Sequence, residues 1–307
     1  MVITAAMVKE LRNMTSAGVM DCKKALTETD GDMDKAVEVL REKGLASAEK
    51  KSDRIAAEGL VSAIVKGETS AAIVEVNSET DFVAKNEKFQ NFVAGVVDSV
   101  MAADVSNVEE LASAAWAGDA SKTVKDELVS QIAVIGENMS IRRFEKISTD
   151  NGIVVPYIHA GGRIGVLVQA ETDVVNAEVK EALRNVAMQV AALHPKYVTR
   201  KEIAQDYIDH ETAILKAQAK NENPDKPDNI IEKMIIGRLN KQLKEICLLD
   251  QAYVKDGDLT VAKYLDQVSK EVGGTINVVK FVRYETGEGM EKKEENFAEE
   301  VAKQMGN

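Results

Sequence analysis

Two cysteines, three histidines and four prolines are all that the 307 residues contain of these types, and a single tryptophan stands beside six phenylalanines and six tyrosines. Each scarcity excludes something. Cys22 and Cys247 lie far apart in the chain, so a disulfide framework is not expected and a reducing cytoplasm fits. His159, His194 and His210 show no ligand spacing and neither cysteine has a CxxC neighbour, so no metal site is expected. No apolar run is long enough to span a bilayer, and the opening MVITAAMVKELRN lacks the basic-then-apolar order of a secretory signal. A cytoplasmic location without a membrane partner is the expectation. Phosphate-cradling loops are missing in both common forms, GxxxxGK[ST] and GxGxxG. The nearest glycine cluster, Gly287-Glu288-Gly289, lies among acids that would repel phosphate. The chain is therefore not expected to hold a nucleotide or another cofactor. A formal net charge of −12 argues against direct nucleic-acid binding, which needs clustered Lys and Arg. That acidity reads first as solubility.

Hydrophobic residues make up 45% and charged residues 29% of the chain, an ordinary globular mixture long enough for one large domain or two to three small ones. Residues 1–45 read as a three-helix module. Its stripes are Met7-Val8-Leu11, Cys22-Ala25-Leu26 and Met33-Ala36-Val37-Leu40, the last stopped at Gly44. So small a core suits a docking module. Residues 46–59 read as a charged linker helix. Two subdomains are expected to follow, at 60–138 and 139–286, each a small antiparallel sheet backed by helices. The fold class is thus α+β. A helical hairpin at 200–249 is expected within the second, its arms parted by Asn223-Pro224-Asp225-Lys226-Pro227-Asp228. Residues 287–307 read as a charged tail with a candidate helix at Glu294 to Gln304.

The two subdomains look related. Glu79-Thr80-Asp81-Phe82-Val83 matches Glu171-Thr172-Asp173-Val174-Val175, 92 positions on, and each match sits between a hairpin and a helix. On this alignment the turn is structural, and what sets the first copy apart is Phe82, where the second has Val174, and the Ala84-Lys85-Asn86 that follow. Asp81 reads as a turn cap, a base, or a competitor for hydrogen bonds on a partner. Phe82 reads equally as packed on its own subdomain or as an exposed anchor. His159, at a hairpin tip, reads as a partner contact or as a plain turn residue.

At Thr80-Asp81-Phe82-Val83-Ala84-Lys85-Asn86 the chain resembles the bacterial translation elongation factor Ts family, guanine-nucleotide exchange factors for elongation factor Tu. Further stretches carry the likeness: Thr15 to Leu26, His159-Ala160-Gly161-Gly162-Arg163-Ile164-Gly165, and Tyr284-Glu285-Thr286-Gly287-Glu288-Gly289. Ser16 and Val19 stand where the family pattern has Gly and Met. The resemblance implies a ubiquitin-associated-like N-terminal module, two related core subdomains, a coiled-coil insertion and a C-terminal module. It implies a protein that is not an enzyme and that binds elongation factor Tu in its GDP-bound and nucleotide-free forms. Thr80, Asp81, Phe82 and Val83 would disturb the magnesium bound to that partner. Val19, Met20, His159, Val261 and Leu265 are expected as secondary contacts, and the helical hairpin offers a route to a homodimer. Two other readings stand beside this one. One is a scaffold that recruits a different partner through the three-helix module. The other is a hydrolase built on a cysteine with a histidine.

Overall fold

A computed structural model of the chain describes residues 2–15 and 17–291. The tail helix expected at Glu294 to Gln304 lies outside the described residues. The architecture is α+β. It begins with helices α1 (Ala5–Thr15), α2 (Val19–Glu28) and α3 (Met33–Glu49). Their stripes close on a small core of Val8, Leu11, Cys22, Ala25, Leu26 and Ala36. Asp32 caps α3 by accepting the Lys35 amide at 3.1 Å.

Two copies of one plan follow. The first is β1 (Glu58–Lys66), β2 (Ser70–Ser78), α4 (Asp81–Ala84), α5 (Glu87–Ala102), α6 (Val108–Ser113), β3 (Ala115–Trp116), β4 (Asp119–Thr123), α7 (Val124–Ile135) and β5 (Met139–Ser148). The second is β6 (Gly152–His159), β7 (Ile164–Thr172), α8 (Ala177–Leu193), α9 (Gln205–Glu222), α10 (Asp228–Ile246), β8 (Ala252–Tyr253), β9 (Asp256–Thr260), α11 (Val261–Val272) and β10 (Ile276–Glu285). The sheets are antiparallel, in the orders β1-β2-β5 and β10-β7-β6. Antiparallel α9 and α10 form the helical arm, closed on Leu215, Ala219, Ile231 and Ile235. Strand β5 pairs with β2 along its length. A subdomain boundary at 138/139, as read from sequence, therefore falls one strand too early.

The third helix also departs from expectation, because α3 runs through Gly44 to Glu49 instead of stopping there. A Cβ on Gly44 would sit 3.3 Å from Val129 of α7, so this glycine permits close helix contact. Arg41 of α3 meets Asp126 of α7 at 2.6 Å beside it. The N-terminal module is thereby seated on α7. The expected linker helix at 46–59 is instead the end of α3, a turn at 50–54, a short approach at 55–57 and the first two residues of β1.

A second element of the repeat is subtle in sequence. The short hairpins β3–β4 and β8–β9 share one register, Ala115↔Thr123 with Trp116↔Asp119 and Ala252↔Thr260 with Tyr253↔Asp256. Each presents its aromatic to a helix. Trp116 stacks on Phe92 at 5.6 Å, and Tyr253 on Tyr264 at 4.2 Å. Gly95 of α5 lies under the Trp116 ring, where any Cβ would overlap it. Gly95→Ala is expected to cost about 1–3 kcal/mol by overpacking. Urea unfolding followed by Trp116 emission would read it, and an unchanged midpoint would show that the ring can step aside.

Strand β2 is the centre of the molecule. Ala72, Val74 and Val76 face α5 and α7, while Ala71 and Ile73 face the second sheet with Val154, Leu167, Val282 and Tyr284. Both faces are buried, hence the nearly unbroken apolar run. From Ala71 to Val76 it is interrupted by Glu75, fully buried on the face toward the second sheet. The carboxylate accepts from Arg142 at 2.9 Å, Arg143 at 2.6 Å, the Gly287 amide at 2.8 Å and Asn77 at 3.2 Å. Thr286 donates its amide to Arg163 O, and Arg143 meets Glu288 at 3.1 Å. The Tyr284-to-Gly289 stretch is thus a clasp that locks the end of the second sheet onto the first.

Candidate functional site

Strand β2 delivers the chain to a one-turn helix, α4. Thr80 caps it, with extended backbone and Oγ1 accepting the Val83 amide at 3.4 Å. The turn stops at Lys85, and Asn86 caps the next helix, α5, through the Lys88 amide at 2.9 Å. So short a helix can bury only one side. Val83 and Ala84 face the core, and Asp81 and Phe82 face out. Phe82 is 78% exposed, against 0% for Phe89 and 2% for Phe92 just downstream. The reading of Phe82 as packed on its own subdomain therefore falls.

Asp81 holds Lys85 at 2.6 Å, and Lys85 Nζ lies 5.8 Å from the centre of the Phe82 ring. The hydrogen bond from Lys85, with its charge, keeps the Asp81 carboxyl below its ordinary range, so Asp81 is ionised at neutral pH. Both partners are exposed, so the pair contributes little to stability and is readily exchanged for another cation.

The α7–β5 corner holds this turn from behind. Glu137 accepts the Thr80 amide at 3.0 Å and the Thr80 hydroxyl at 2.7 Å. Glu79 accepts the Asn138 amide at 2.5 Å. Asn138 in turn donates to Ser52 O at 3.3 Å and Arg54 O at 2.8 Å, fixing the segment that follows α3. Sequence reading passed over Glu137 and Asn138. The available signal was an acid and an amide directly after the helix-ending Gly136, which the structure shows in the left-handed conformation.

The two sheets correct the register of the repeat. Ser78 lies opposite Met139 and Thr172 opposite Ile276, which makes Ser78 and Thr172 equivalent, 94 positions apart. The hydrogen bonds agree. Ser78 donates to Thr80 O at 3.1 Å and Thr172 to Val174 O at 2.9 Å. Glu79 accepts from the Asn138 amide as Asp173 does from the Thr275 amide at 2.6 Å. The Glu-Thr-Asp match at 92 positions is thus out of register by two. Asp173 answers to Glu79, not to Asp81. Beyond the turn, Asn86 and Asn176 cap α5 and α8, only 90 positions apart. The first copy therefore carries four extra residues, and these fit α4, Asp81–Ala84. Phe82 has no counterpart in the second copy, and Asp81 does no turn-building that Asp173 repeats.

The other expected contacts divide. Val19 and Met20 are 50% and 61% exposed at the start of α2. His159 is exposed at the end of β6, its Nδ1 2.9 Å from the Tyr157 hydroxyl. Val261 and Leu265 are corrected. They are 0% and 4% exposed and belong to the core of the second half with Ile276 and Val278, so they present no surface to a partner. Cys22 and Cys247 are buried and free, and burial pushes both thiols up, away from the reactive thiolate. This counts against the hydrolase reading. Among the described residues no group of three or more His, Cys, Asp and Glu is set to hold a metal ion. No described helix is long and apolar enough to cross a membrane.

Comparison with known proteins brings these features together. Residues 79–288, which run from the Glu79 anchor of the exposed turn to Glu288 of the clasp, match the family model described as elongation factor TS. The chain is 54% identical over 305 residues to the elongation factor Ts of Clostridium perfringens (strain 13 / Type A), covering 99% of each chain. It is 54% identical over 307 residues to that of Clostridioides difficile (strain 630), again over 99% of each. A protein named elongation factor Ts from Clostridium botulinum (strain Eklund 17B / Type B) is 53% identical over 305 residues, at 99% coverage of each. Matched along both copies of the repeat, the clasp and the helical arm, the chain belongs to the elongation factor Ts family, and with it to the translation elongation factors of protein biosynthesis.

Proposed function

We propose that this protein is a guanine-nucleotide exchange factor for elongation factor Tu, with no chemical reaction of its own. The observation that carries the reading is α4, four residues added to a duplicated frame that closes without them, with Phe82 projected into solvent. A GTPase holds GDP through Mg²⁺, its phosphate loop and backbone contacts. An exchange factor has to bind the nucleotide-free state more tightly than the GDP state; linkage then makes nucleotide and factor weaken each other by the same factor. Phe82 meets this requirement as a wedge. Its ring is already exposed in the free protein, so insertion between partner elements gains apolar burial without first breaking contacts here. Asp81, ionised and paired with the exposed Lys85, competes for the groups that hold the phosphates or the metal. Thr80 and Val83 fix the turn that carries both. Val19 and Met20 on the N-terminal module and His159 on the second sheet supply remote holding contacts, which offset the strain imposed at the wedge.

The test is direct. Elongation factor Tu loaded with fluorescent GDP is mixed with excess unlabelled GDP, with and without the full chain, in a stopped-flow instrument. Release is expected to accelerate with the concentration of this protein until it saturates. A release rate independent of its concentration would rule the reading out.

A further inference from the structure

We infer that Glu137 is a positioning residue for the Phe82 wedge: its carboxylate, reaching from the α7–β5 corner, sets the pose of α4 by gripping the residue that caps it. The inference rests on the exchange reading above and assigns part of that function to a residue 55 positions away in sequence.

The geometry is specific. One carboxylate oxygen accepts the Thr80 hydroxyl at 2.7 Å and the other the Thr80 amide at 3.0 Å. Thr80 is thus held on its main chain and its side chain at once. Its Oγ1 also accepts the Val83 amide at 3.4 Å, so the hydroxyl that Glu137 orients is the one that starts the turn. A four-residue helix has almost no stability of its own, because nucleation is unfavourable and there is no length over which to recover it. Its inner face offers only Val83 and Ala84. The direction of Phe82 must therefore be set by something outside the turn, and the Glu137 grip is a two-point attachment.

The second copy supports this. There Val174 stands at the position of Thr80 and Gly274 at that of Glu137: in the Glu79–Asn138 and Asp173–Thr275 bonds that both copies share, Thr80 and Val174 follow the bonded acid, and Glu137 and Gly274 precede the bonded amide. The copy without α4 also lacks both partners of the grip. Glu137 has a further consequence of place. It follows Gly136, the cap of α7, and α7 carries the N-terminal module through Arg41–Asp126 and the Gly44–Val129 contact. The module that is proposed to hold the partner and the turn proposed to pry it are therefore linked through one helix, the module seated on its first two turns and Glu137 following its end.

The experiment compares full-length wild type, Glu137→Ala, Phe82→Ala and the double variant, on fluorescent GDP release from elongation factor Tu and on amide hydrogen exchange. Glu137→Ala is expected to slow release at saturating factor by about tenfold, the factor that one or two lost hydrogen bonds of ordinary strength represent. The double variant is expected to be no slower than Phe82→Ala alone, because Glu137 acts only through the ring. The amides of residues 80–84 are expected to exchange faster in Glu137→Ala, with the β2 core unchanged. Effects that multiply in the double variant would overturn the assignment, since Glu137 would then act independently of Phe82. Unchanged exchange at residues 80–84 would overturn it as well, whatever the release rates. If Phe82→Ala leaves release untouched, it is the wedge reading that fails, while hydrogen exchange still decides whether Glu137 holds the turn.

Discussion

Truncating Phe82 to alanine is expected to slow the GDP release that this protein drives from elongation factor Tu by about 30-fold or more, the factor for losing a hot-spot aromatic worth 2 kcal/mol. In the free protein the ring is 78% exposed and touches little, so its loss removes almost no stability. Any effect must therefore arise in the complex. The thermal midpoint of the variant is expected to stay within a degree or so of wild type, as for surface substitutions in general. Stopped-flow release and a melting curve on the same sample check both halves. A variant that releases GDP at the wild-type rate would mean that the ring is not the wedge. Phe82→Leu should fall between, because it keeps apolar bulk but not the flat ring.

The second large effect concerns stability. Glu75→Ala is expected to destabilise the fold by about 3 kcal/mol, the lower end of the range for breaking a buried ion pair. The carboxylate is fully buried and takes four donors, two of them guanidinium groups. Its removal leaves Arg142 and Arg143 without their shared anion, and frees the Gly287 amide that closes the clasp. Arg143 keeps its stack on Tyr284 and its bond to Glu288, which is why the lower figure is the better one. Urea unfolding at neutral pH would measure it. A loss below about 1 kcal/mol, the scale of an exposed pair, would show that the clasp holds without its buried acid.

Local chemistry was legible in the sequence, and distant pairing was not. The helix stripes of the N-terminal module, the hairpins and the proline-parted helical arm follow from periodicity and turn residues, and they appear as read. The duplication was legible too, yet its register was not. Glu79-Thr80-Asp81 and Glu171-Thr172-Asp173 are identical strings, and only the ladders show that they sit two residues apart in the frame. That slip hid the insertion: the alignment credited Asp81 with a counterpart and left Phe82 and the following Ala84-Lys85-Asn86 as distinct. Gly44 read as a stop because glycine usually ends helices, but here the absent side chain serves contact with Val129. Val261 and Leu265 look like a surface stripe on an amphipathic helix. A stripe says that a face is apolar, and it does not say whether that face turns toward a partner or toward the helix's own sheet. Glu137 could not be assigned at all, because its partner Thr80 lies 57 positions back in the chain.

The uneven placement of aromatics has an optical consequence. The only indole, Trp116, is stacked in the first copy, whereas all six tyrosines, Tyr157, Tyr197, Tyr207, Tyr253, Tyr264 and Tyr284, lie in the second. Light absorbed by the phenols and re-emitted by the indole must therefore cross from one half to the other. Energy transfer from tyrosine to tryptophan becomes a built-in gauge of how the halves sit against each other, and direct excitation of the indole reports the first half alone. Loosening of the clasp would dim the transferred signal before the directly excited one changes, in unlabelled protein.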